Sequence, residues 1–502
     1  MCIVESIKDI RRSGTPLAAI TTTDPEATVE RIKSELSDTK IGFVSYDILQ
    51  GFRGLNEHGI NALKSIGEDD IESVKDSPTD AVLVATSKID AGTMIFMHTA
   101  NRYAEQLPFI QALKNARNPF CASRRTIILM GIDMPLPPEL AGDVVFLNDP
   151  LPDEEDISSI VAKVADNYNK AVDKKGDDSI PKAVVTDEIM TDSIDALIGL
   201  PAFTAEQIAS MCLRDGVFDN DSMWGRKRAQ VETQQGLTIH RGDSSLKDVG
   251  GCENVVAHLT RCMNGLKHFS AIGFIDEIGT TGLASRMDSS GVNQDLEGHL
   301  LKYLQDNQIY AVLLAGLAGT GKSHICKVIG DHFGKPTIGM DLGAMKGRFV
   351  GDSERMVRGG FDVLTAASHG RPLIIATCNG SEGLSSALLS RFSKIFYFDL
   401  PTREEKDAIW NIKMAQYGIT DQPIPDDALW VGRNIDKCCE EAWMLETTLE
   451  ECAESIIPVG RSASSDLSAL RAQANGRYLS AAEPGIYSTS TVIEDRVNDL
   501  TI

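Results

Sequence analysis

The fold is decided by one stretch of sequence, Tyr310-Ala-Val-Leu-Leu-Ala-Gly316-Leu-Ala-Gly-Thr-Gly-Lys322-Ser323. It begins with a short apolar run, which is typical of a buried strand, and continues through a loop that contains three glycines. The next residues, His-Ile-Cys-Lys-Val-Ile-Gly-Asp, carry apolar side chains at helical spacing. The stretch therefore predicts a strand, a glycine-rich loop and a helix.

The loop has the pattern G-x-x-x-x-G-K-[ST], which is typical of a site for nucleotide phosphates. Its glycines let successive backbone N–H groups point at phosphate oxygens at the start of a helix. Lys322 would neutralise the β- and γ-phosphates, and the Ser323 hydroxyl would bind Mg²⁺. The flanking strand and helix favour ATP or GTP binding over a glycine-rich turn that matches by chance. The predicted nucleotide-binding residues are Gly316, Gly319, Thr320, Gly321, Lys322 and Ser323.

Downstream of the loop, apolar runs alternate with helical patterns. The runs predict strands that begin at Pro336, Pro372 and Ile395, and apolar spacing predicts a helix over residues 352–368. Residues 401–457 then show a continuous helical pattern. This alternation predicts a parallel α/β sheet capped by a small helical domain.

The composition is that of a globular protein with about two to four domains. The chain has 502 residues, and 49 basic residues against 72 acidic ones give a net charge of −23. This charge repels phosphate backbones and anionic lipid, which argues against a nucleic-acid partner. The ten cysteines form no C-x-x-C pair, and neither a signal peptide nor a membrane-spanning stretch is found. We therefore expect reduced thiols, a cytoplasmic location and no membrane contact.

Four segments together resemble the core of an AAA-type (AAA+) ATPase. They are the glycine-rich loop, residues 345–358, the strand that ends in Asn379, and Ala387-Leu-Leu-Ser-Arg391-Phe followed by Phe398-Asp-Leu-Pro. The chain is similar in particular to the plastid and cyanobacterial branch, in which the first ATPase-like domain is degenerate. The resemblance covers the C-terminal half well and the N-terminal half more loosely. It implies ATP and Mg²⁺ as cofactors and a homo-oligomer, expected to be a hexameric ring.

The resemblance also implies roles for single residues. Asn379 matches the residue that orients the attacking water; the alternative is an Asn that caps a turn. Arg391 matches the arginine finger that acts on a neighbouring subunit's γ-phosphate, although the family often has two arginines here. Phe349 matches the pore-loop aromatic that contacts a protein substrate; the alternative is a core Phe. Arg433 is a candidate second sensor or a surface Arg.

A P-loop ATPase also needs an acidic pair at the end of a buried strand, one residue for Mg²⁺ and one for the attacking water. In the family this pair lies in the interval that corresponds to residues 363–372, which contain no Asp or Glu here. Upstream of the loop, however, Ala271-Ile-Gly-Phe-Ile-Asp276-Glu277 has the expected pattern. We predict that Asp276 binds the metal and Glu277 activates water. The alternative is a chance acidic strand end in an inactive ATPase.

This transposed strand makes a structural prediction. A strand can enter a parallel sheet from either chain direction if its crossover connection stays right-handed. The strand should lie between the one that follows Lys335 and the one that ends in Asn379. Asp276 should then approach Ser323.

The N-terminal half repeats the pattern in a looser form. Arg125-Thr-Ile-Ile-Leu-Met-Gly and residues 144–157 mirror residues 371–376 and 395–409. The strand Leu17-Ala-Ala-Ile runs into Thr-Thr-Thr-Asp-Pro-Glu, without a glycine-rich loop or a lysine, so this copy is predicted not to bind nucleotide. The alternative to a duplication is that strand-proline-helix junctions recur in any α/β protein.

The predicted fold is a parallel-sheet P-loop NTPase (AAA+) core with a helical lid, preceded by a degenerate ATPase-like α/β domain. The degenerate domain is expected over residues 1–157, and a lid-like helical segment and linker over 158–235. The ATPase core is expected over 236–402, and its lid and tail over 403–502. A polar stretch from Trp224 to Arg241 is the predicted linker.

Three functions are consistent with these features. The first is an ATP-hydrolysing ring motor that remodels a protein substrate. The second is an ATP-binding assembly scaffold that hydrolyses slowly or not at all, which the displaced acidic pair motivates. The third is a nucleic-acid loader, and the net charge of −23 argues against it.

Overall fold

A computed structural model describes residues 3–37, 40–132, 134, 136–175, 180–265, 269–278, 292–345, 352–379 and 384–489. The chain forms two compact units. Met1–Met190 and Leu200–Phe218 make up the first unit, and Thr191–Gly199 and Asp219–Ile502 make up the second. Each unit contains its own large β-sheet.

The first unit is a mixed α/β structure. Its strands are β1 (Leu17–Thr21), β2 (Gly42–Asp47), β3 (Gly51–Gly54), β4 (Thr93–Met97), β5 (Thr126–Gly131), β6 (Val145–Asn148), β7 (Leu213–Arg214) and β8 (Val217–Phe218). Its helices are α1 (Ile3–Ser13), α2 (Pro25–Glu35), α3 (Glu57–Ala62), α4 (Glu68–Val74), α5 (Pro78–Lys88), α6 (Leu107–Ser123), α7 (Glu154–Lys175), α8 (Asp187–Leu197), which continues into the second unit, and α9 (Ala202–Cys212). Six strands form one sheet in the order β3-β2-β4-β5-β1-β6, and β3 alone runs antiparallel to its neighbour.

The side chains of this sheet alternate between two hydrophobic cores, one on each face. Leu17 and Ala19 of β1 belong to a core that includes residues of α5 and α6. Ala18 and Ile20 belong to the other core, together with residues of α1 and α2. Helices therefore cover both faces, which explains why the strands are nearly continuous apolar runs.

The second unit contains the glycine-rich loop. Its strands are β9 (Leu237–His240), β10 (Ala271–Ile275), β11 (Tyr310–Gly316), β12 (Thr337–Met340), β13 (Pro372–Cys378), β14 (Lys394–Phe398) and β15 (Leu479–Ser480). Its helices are α10 (Asn220–Val231), α11 (Glu253–Asn264), α12 (Val292–Asp306), α13 (Lys322–His332), α14 (Asp352–Ala367), α15 (Ser386–Leu389), α16 (Arg403–Tyr417), α17 (Gly432–Leu445), α18 (Leu449–Ala453), α19 (Val459–Ser462) and α20 (Ser464–Ala474). The sheet order is β15-β14-β11-β13-β10-β12-β9, with β9 antiparallel and every other pair parallel.

The two sheets share one strand order. In the first unit β6-β1-β5-β4-β2 are neighbours, and in the second β14-β11-β13-β10-β12 are neighbours. The paths of the chain differ, because β10 occupies the position of β4 but precedes the other four strands in sequence. The predicted place of the transposed strand is confirmed, since Ile272 pairs with Thr337 on one side and Leu373 on the other. The predicted fold class is also confirmed.

The stretch predicted to be a polar linker contains regular structure instead. Residues 220–231 form α10, which buries Met223, Lys227 and Val231, spaced four apart. Strand β9 follows and pairs with β12. The centre of the Trp224 ring lies 4.5 Å from both Lys227 Nζ and the Arg241 guanidinium carbon. In the sequence these basic residues suggest a solvated linker, but in the structure they pack on an aromatic ring.

The helical lid and the tail both belong to the second unit. Trp410 of α16 and Trp430 anchor the lid core, with Ile435 of α17. After the lid, α20 leads to β15, which adds a strand beside β14. Asp399 holds this segment, because it accepts hydrogen bonds from the Arg471 guanidinium at 2.8 Å and from the Tyr487 hydroxyl at 2.8 Å.

Among the described residues, none of the helices combines the length and the apolar composition needed to cross a bilayer. The longest of them, α7, has 22 residues, with three acidic residues in its first turn and two lysines in its last. These charges complement the helix dipole at both ends.

Candidate nucleotide-binding site

The glycine-rich loop joins the end of β11 to the start of α13. Gly319 and Gly321 have φ angles of +85° and +94°, which residues with a Cβ rarely adopt. A Cβ at Gly319 would also lie 2.8 Å from the Cβ of Arg433. The Thr320 hydroxyl donates to the Leu317 carbonyl at 2.9 Å and closes the loop. The loop thus ends at the N-terminus of α13, where backbone N–H groups favour an anion.

Lys322 is the first residue of α13, and its side chain folds into the loop. Its ammonium group donates to the carbonyls of Gly316 and Leu317 at 2.8 and 2.6 Å, and to Asn379 Oδ1 at 3.1 Å. The residue is 5% exposed, and burial lowers the pKa of Lys322 to about 8. Nearby carboxylates of Glu277 and Asp276 act in the opposite direction and favour the charged form.

The acidic pair follows β10 directly. Asp276 Oδ1 accepts a hydrogen bond from the Ser323 hydroxyl at 2.9 Å, so the predicted approach of these two residues is confirmed. Glu277 Oε1 accepts from Asn379 Nδ2 at 2.8 Å. Residues from β10, β13 and the loop after β11 therefore meet at the carboxyl ends of three adjacent parallel strands, which is where open α/β sheets bind ligands.

These side chains fit ATP with Mg²⁺. The Ser323 hydroxyl and the Asp276 carboxylate are hard oxygen donors that lie 2.9 Å apart, and Mg²⁺ in phosphate sites takes one or two protein oxygens beside those of the phosphates. Asp276 is exposed, so its oxygens can be reached from solvent. Lys322 supplies the cation for the phosphates. The donor set is therefore that of a nucleotide phosphate site, and the role of each residue remains a prediction.

Arg391 is not joined to this network by any hydrogen bond of the described residues. It is exposed just after α15, and its Nη2 donates to Gln305 Oε1 of α12 at 2.9 Å. A residue that acts on the nucleotide of a neighbouring subunit would have to be accessible in this way.

Two further predictions can be placed only in part. Phe349 lies outside the described residues. Arg433 lies beside the loop, since its backbone N–H donates to the Gly319 carbonyl at 3.1 Å. This contact brings α17 of the lid against the phosphate loop.

The segment Asp248-Val-Gly-Gly251 was not predicted to be part of the site, and it contacts two helices there, α13 and α16. The His324 ring nitrogen lies 3.2 Å from the Asp248 carbonyl, next to the loop. A Cβ at Gly250 would lie 2.8 Å from Ile409 Cγ1 of α16. Two adjacent glycines before a helix were the available signal, because they indicate close backbone approach.

Thr377 of β13 is a second residue of the site that was not predicted. Its hydroxyl donates to Asp276 Oδ1 at 2.6 Å and accepts from the Glu277 N–H at 2.9 Å. The sequence carries little signal for this role, because a Thr in an apolar run reads as an ordinary strand residue.

The corresponding junction of the first unit, between β1 and α2, is built differently. Asp24 caps α2 by accepting from the Ala27 N–H at 3.1 Å. Asp149 is buried, accepts from the Thr28 hydroxyl at 2.5 Å and pairs with Arg31. Burial raises the pKa of Asp149, while its bonds to Thr28 and Arg31 act the other way. The Asp24 carboxylate thus occupies a backbone N–H at the start of α2 that a phosphate would otherwise bind.

Comparisons with known families agree with this geometry. Residues 3–148 match the N-terminal domain of SpoVK-like AAA ATPases, and residues 312–372 match the ATPase family associated with various cellular activities (AAA). The second match begins within β11 and includes the glycine-rich loop with Lys322. These two segments of the chain are therefore those of an AAA ATPase. Asp276 and Glu277 lie upstream of the second matched segment, as expected for a transposed strand.

Relatives of the chain include three that are named "Uncharacterized AAA domain-containing protein ycf46". The protein of Guillardia theta is 19% identical over 458 residues, which are 82% of this chain and 80% of the relative. The protein of Trieres chinensis is 20% identical over 387 residues, 68% of this chain and 69% of the relative. The protein of Pyropia yezoensis is 26% identical over 146 residues, 21% of this chain and 30% of the relative.

Proposed function

We propose that this protein hydrolyses ATP and uses the free energy to remodel a protein substrate. The observation that supports hydrolysis is the series of hydrogen bonds from Lys322 through Asn379 to Glu277. It places a carboxylate that can accept a proton next to the cation of the phosphate loop. Binding alone requires the loop and a metal ligand, whereas a carboxylate oriented by an amide serves the activation of water.

In the proposed reaction, Lys322 holds the β- and γ-phosphates, and Ser323 and Asp276 hold the metal. Bound Mg²⁺ supplies positive charge that neutralises the phosphate oxygens. The Glu277 carboxylate accepts a proton from the attacking water, which Asn379 helps to orient. Most of the contribution of the chain is positioning and electrostatic stabilisation, as in other phosphoryl transfers.

The position of Arg391 also bears on how copies of the chain assemble. Arg391 is exposed and bonds Gln305 rather than the Lys322 network of its own chain, which supports a role toward a nucleotide that another copy of the chain holds. We therefore propose a homo-oligomeric ring, expected to be hexameric, in which Phe349 contacts the protein substrate. The net charge of −23 supports a protein substrate over a nucleic acid. The cytoplasmic location and the domain boundaries stay predictions.

The test of hydrolysis compares wild type with Glu277→Gln, whose carboxamide can still accept from Asn379 but cannot take up a proton. Phosphate release with Mg²⁺ and ATP should fall by about 10²- to 10⁴-fold, and the affinity for a fluorescent ATP analogue should stay unchanged. Equal rates in the two proteins, or no phosphate release by wild type, would contradict the proposal and favour the scaffold.

The test of remodelling uses Glu277→Gln as a trap. A ring that holds ATP without hydrolysing it should retain its protein substrate. Glu277→Gln with ATP should therefore capture the substrate in the absence of wild-type protein. The control is the double variant Lys322→Ala/Glu277→Gln, which lacks the phosphate cation and should capture nothing. Capture that is independent of ATP would contradict the motor.

A further inference from the structure

One buried hydroxyl joins the transposed strand to its neighbour. Thr377 of β13 is fully buried, and its Oγ1 donates to Asp276 Oδ1 at 2.6 Å while accepting from the Glu277 N–H at 2.9 Å. The Thr377 carbonyl also accepts from the Ile278 N–H at 2.9 Å. A single residue thus bonds three consecutive residues at the exit of β10.

The backbone of Glu277 makes this contact significant. Glu277 has a φ of +50°, the left-handed region that residues other than Gly, Asn and Asp rarely occupy. A conformation of this kind persists only where the surroundings hold it. The Thr377 hydroxyl is the acceptor for the N–H of this residue, so it holds the turn that aims the Glu277 side chain.

The hydroxyl also acts on the metal side of the site. Asp276 Oδ1 accepts from both Thr377 and Ser323. Because Ser323 is a predicted metal ligand, a bound metal would replace its bond to Asp276, and the bond from Thr377 would remain to orient the carboxylate. Hydrogen bonds to a ligating carboxylate fix its orientation and affect metal affinity.

We infer that Thr377 is the positioning residue of the acidic pair. It acts by fixing the Asp276 carboxylate and the Glu277 backbone through one hydroxyl, and its assigned role requires no contact with ATP or the metal. This inference rests on the proposed function for its catalytic meaning, whereas its structural content concerns the nucleotide-free chain. The competing explanation is that Thr377 only fills space in β13.

The experiment removes the hydroxyl at nearly constant volume. Thr377→Val lacks the group, Thr377→Ala lacks it with a smaller side chain, and Thr377→Ser keeps it. The matched control is Thr337→Val on β12, because Thr337 is equally buried and its hydroxyl has no partner among the described residues. If Thr377→Val does not fold, the comparison of Thr377→Ala with Thr377→Ser shows whether the hydroxyl is required.

Two measurements do not depend on turnover. The first is the ratio of affinities for a fluorescent ATP analogue with and without Mg²⁺, which should fall by about 10-fold in Thr377→Val and Thr377→Ala. The second is hydrogen exchange of the peptide over residues 272–278 in the nucleotide-free protein, which should become faster. Thr377→Ser and Thr337→Val should match wild type in both. Unchanged values in the Val and Ala variants would overturn the inference.

Turnover separates this inference from the proposed function. If wild type hydrolyses ATP, kcat should fall by about 10- to 100-fold in the Val and Ala variants, and the Ser variant should recover it. If wild type releases no phosphate but the affinity ratio and exchange change as expected, the proposed function fails and the inference stands. If wild type hydrolyses ATP and Thr377→Val and Thr377→Ala have the same kcat as wild type, the inference is wrong and the proposed function is unaffected.

Discussion

The side-chain amide of Asn379 donates a hydrogen bond to the Glu277 carboxylate at 2.8 Å, although 102 residues separate them in the chain. The contact exists because β10 and β13 are neighbours in the sheet. The same sheet position is filled in the first unit by β4, which follows the usual chain order. The geometry at the carboxyl ends of the strands is therefore set by the order of strands in space rather than along the chain.

Replacement of Asp276 by Asn should weaken Mg²⁺-dependent nucleotide binding. The change removes a charge that lies 2.9 Å from the Ser323 hydroxyl, where the metal is expected, while leaving the size of the side chain unchanged. Titration with a fluorescent ATP analogue should show a smaller gain in affinity on addition of Mg²⁺ than in wild type. Glu277→Gln is the control and should keep the full gain. An equal gain in Asp276→Asn would show that this carboxylate does not bind the metal.

Nucleotide affinity should depend on the protonation of Lys322. Burial lowers the pKa of Lys322 to about 8 in the nucleotide-free chain, and bound phosphates favour the charged form and raise the pKa again. Binding therefore takes up a proton above pH 8, so affinity should be constant below about pH 7 and fall by at most about 10-fold per pH unit above pH 8. Titration calorimetry in buffers of different ionisation enthalpy checks the proton uptake.

The control for this pH dependence is Lys322→Arg, whose guanidinium stays charged throughout the range. Its affinity, even if lower, should not change between pH 7 and pH 9. If wild type shows the same flat profile, Lys322 does not titrate near pH 8.

The first unit should bind no nucleotide, so the full chain should bind one ATP per chain. Asp24 and Asp149 place carboxylates at the start of α2, and Arg31 is already paired with Asp149. Lys322→Ala in the second unit should therefore abolish all measurable binding. Equilibrium dialysis with labelled ATP gives the stoichiometry. Binding that persists in Lys322→Ala would place a second site elsewhere in the chain.

Much of the second unit could be predicted because its signals are local. The apolar run from Tyr310, the glycine-rich loop and the helical spacing after Ser323 specify a strand, a turn and a helix in one continuous stretch. The place of β10 required a different argument, since residues 363–372 lack acids and Ala271-Ile-Gly-Phe-Ile ends in two of them. That prediction is confirmed by its pairing with β12 and β13.

The parts that could not be predicted depend on contacts across the sheet or on unusual burial. Thr377 lies in an apolar run, and its two hydroxyl bonds arise only when β10 lies beside it. Helix α10 was missed because Lys227 occupies the middle of its buried face, between Met223 and Val231. A lysine at that position interrupts the apolar pattern, and its Nζ atom lies 4.5 Å from the centre of the neighbouring Trp224 ring.

The burial of Lys227 predicts that the second unit becomes more stable as pH rises above 7. Burial lowers the pKa of Lys227 to about 7, whereas the ordinary value is 10.5. Between these values the unfolded chain holds the proton and the folded chain does not, so stability rises with pH by up to about 1.4 kcal/mol per unit. Thermal melting at pH 6.5 and pH 8.5 should show this rise in wild type relative to Lys227→Met. If the difference in melting temperature between wild type and Lys227→Met is the same at both pH values, Lys227 keeps its proton in the folded chain.

Arg391→Ala should abolish turnover without weakening nucleotide binding. Arg391 is exposed, its side chain bonds Gln305 of α12, and none of its described bonds reaches the Lys322 network of its own chain. An arginine finger contributes about 10³- to 10⁵-fold to kcat, so the loss should be large in phosphate release and absent from ATP affinity. Mixing Arg391→Ala with Lys322→Ala should restore part of the activity, because the second variant supplies the arginine to an intact phosphate loop. Gln305→Ala is the control for a role of Arg391 within its own chain. If Gln305→Ala lowers turnover as much as Arg391→Ala does, and mixing the variants restores no activity, then Arg391 stabilises its own chain and does not act on a neighbour's nucleotide.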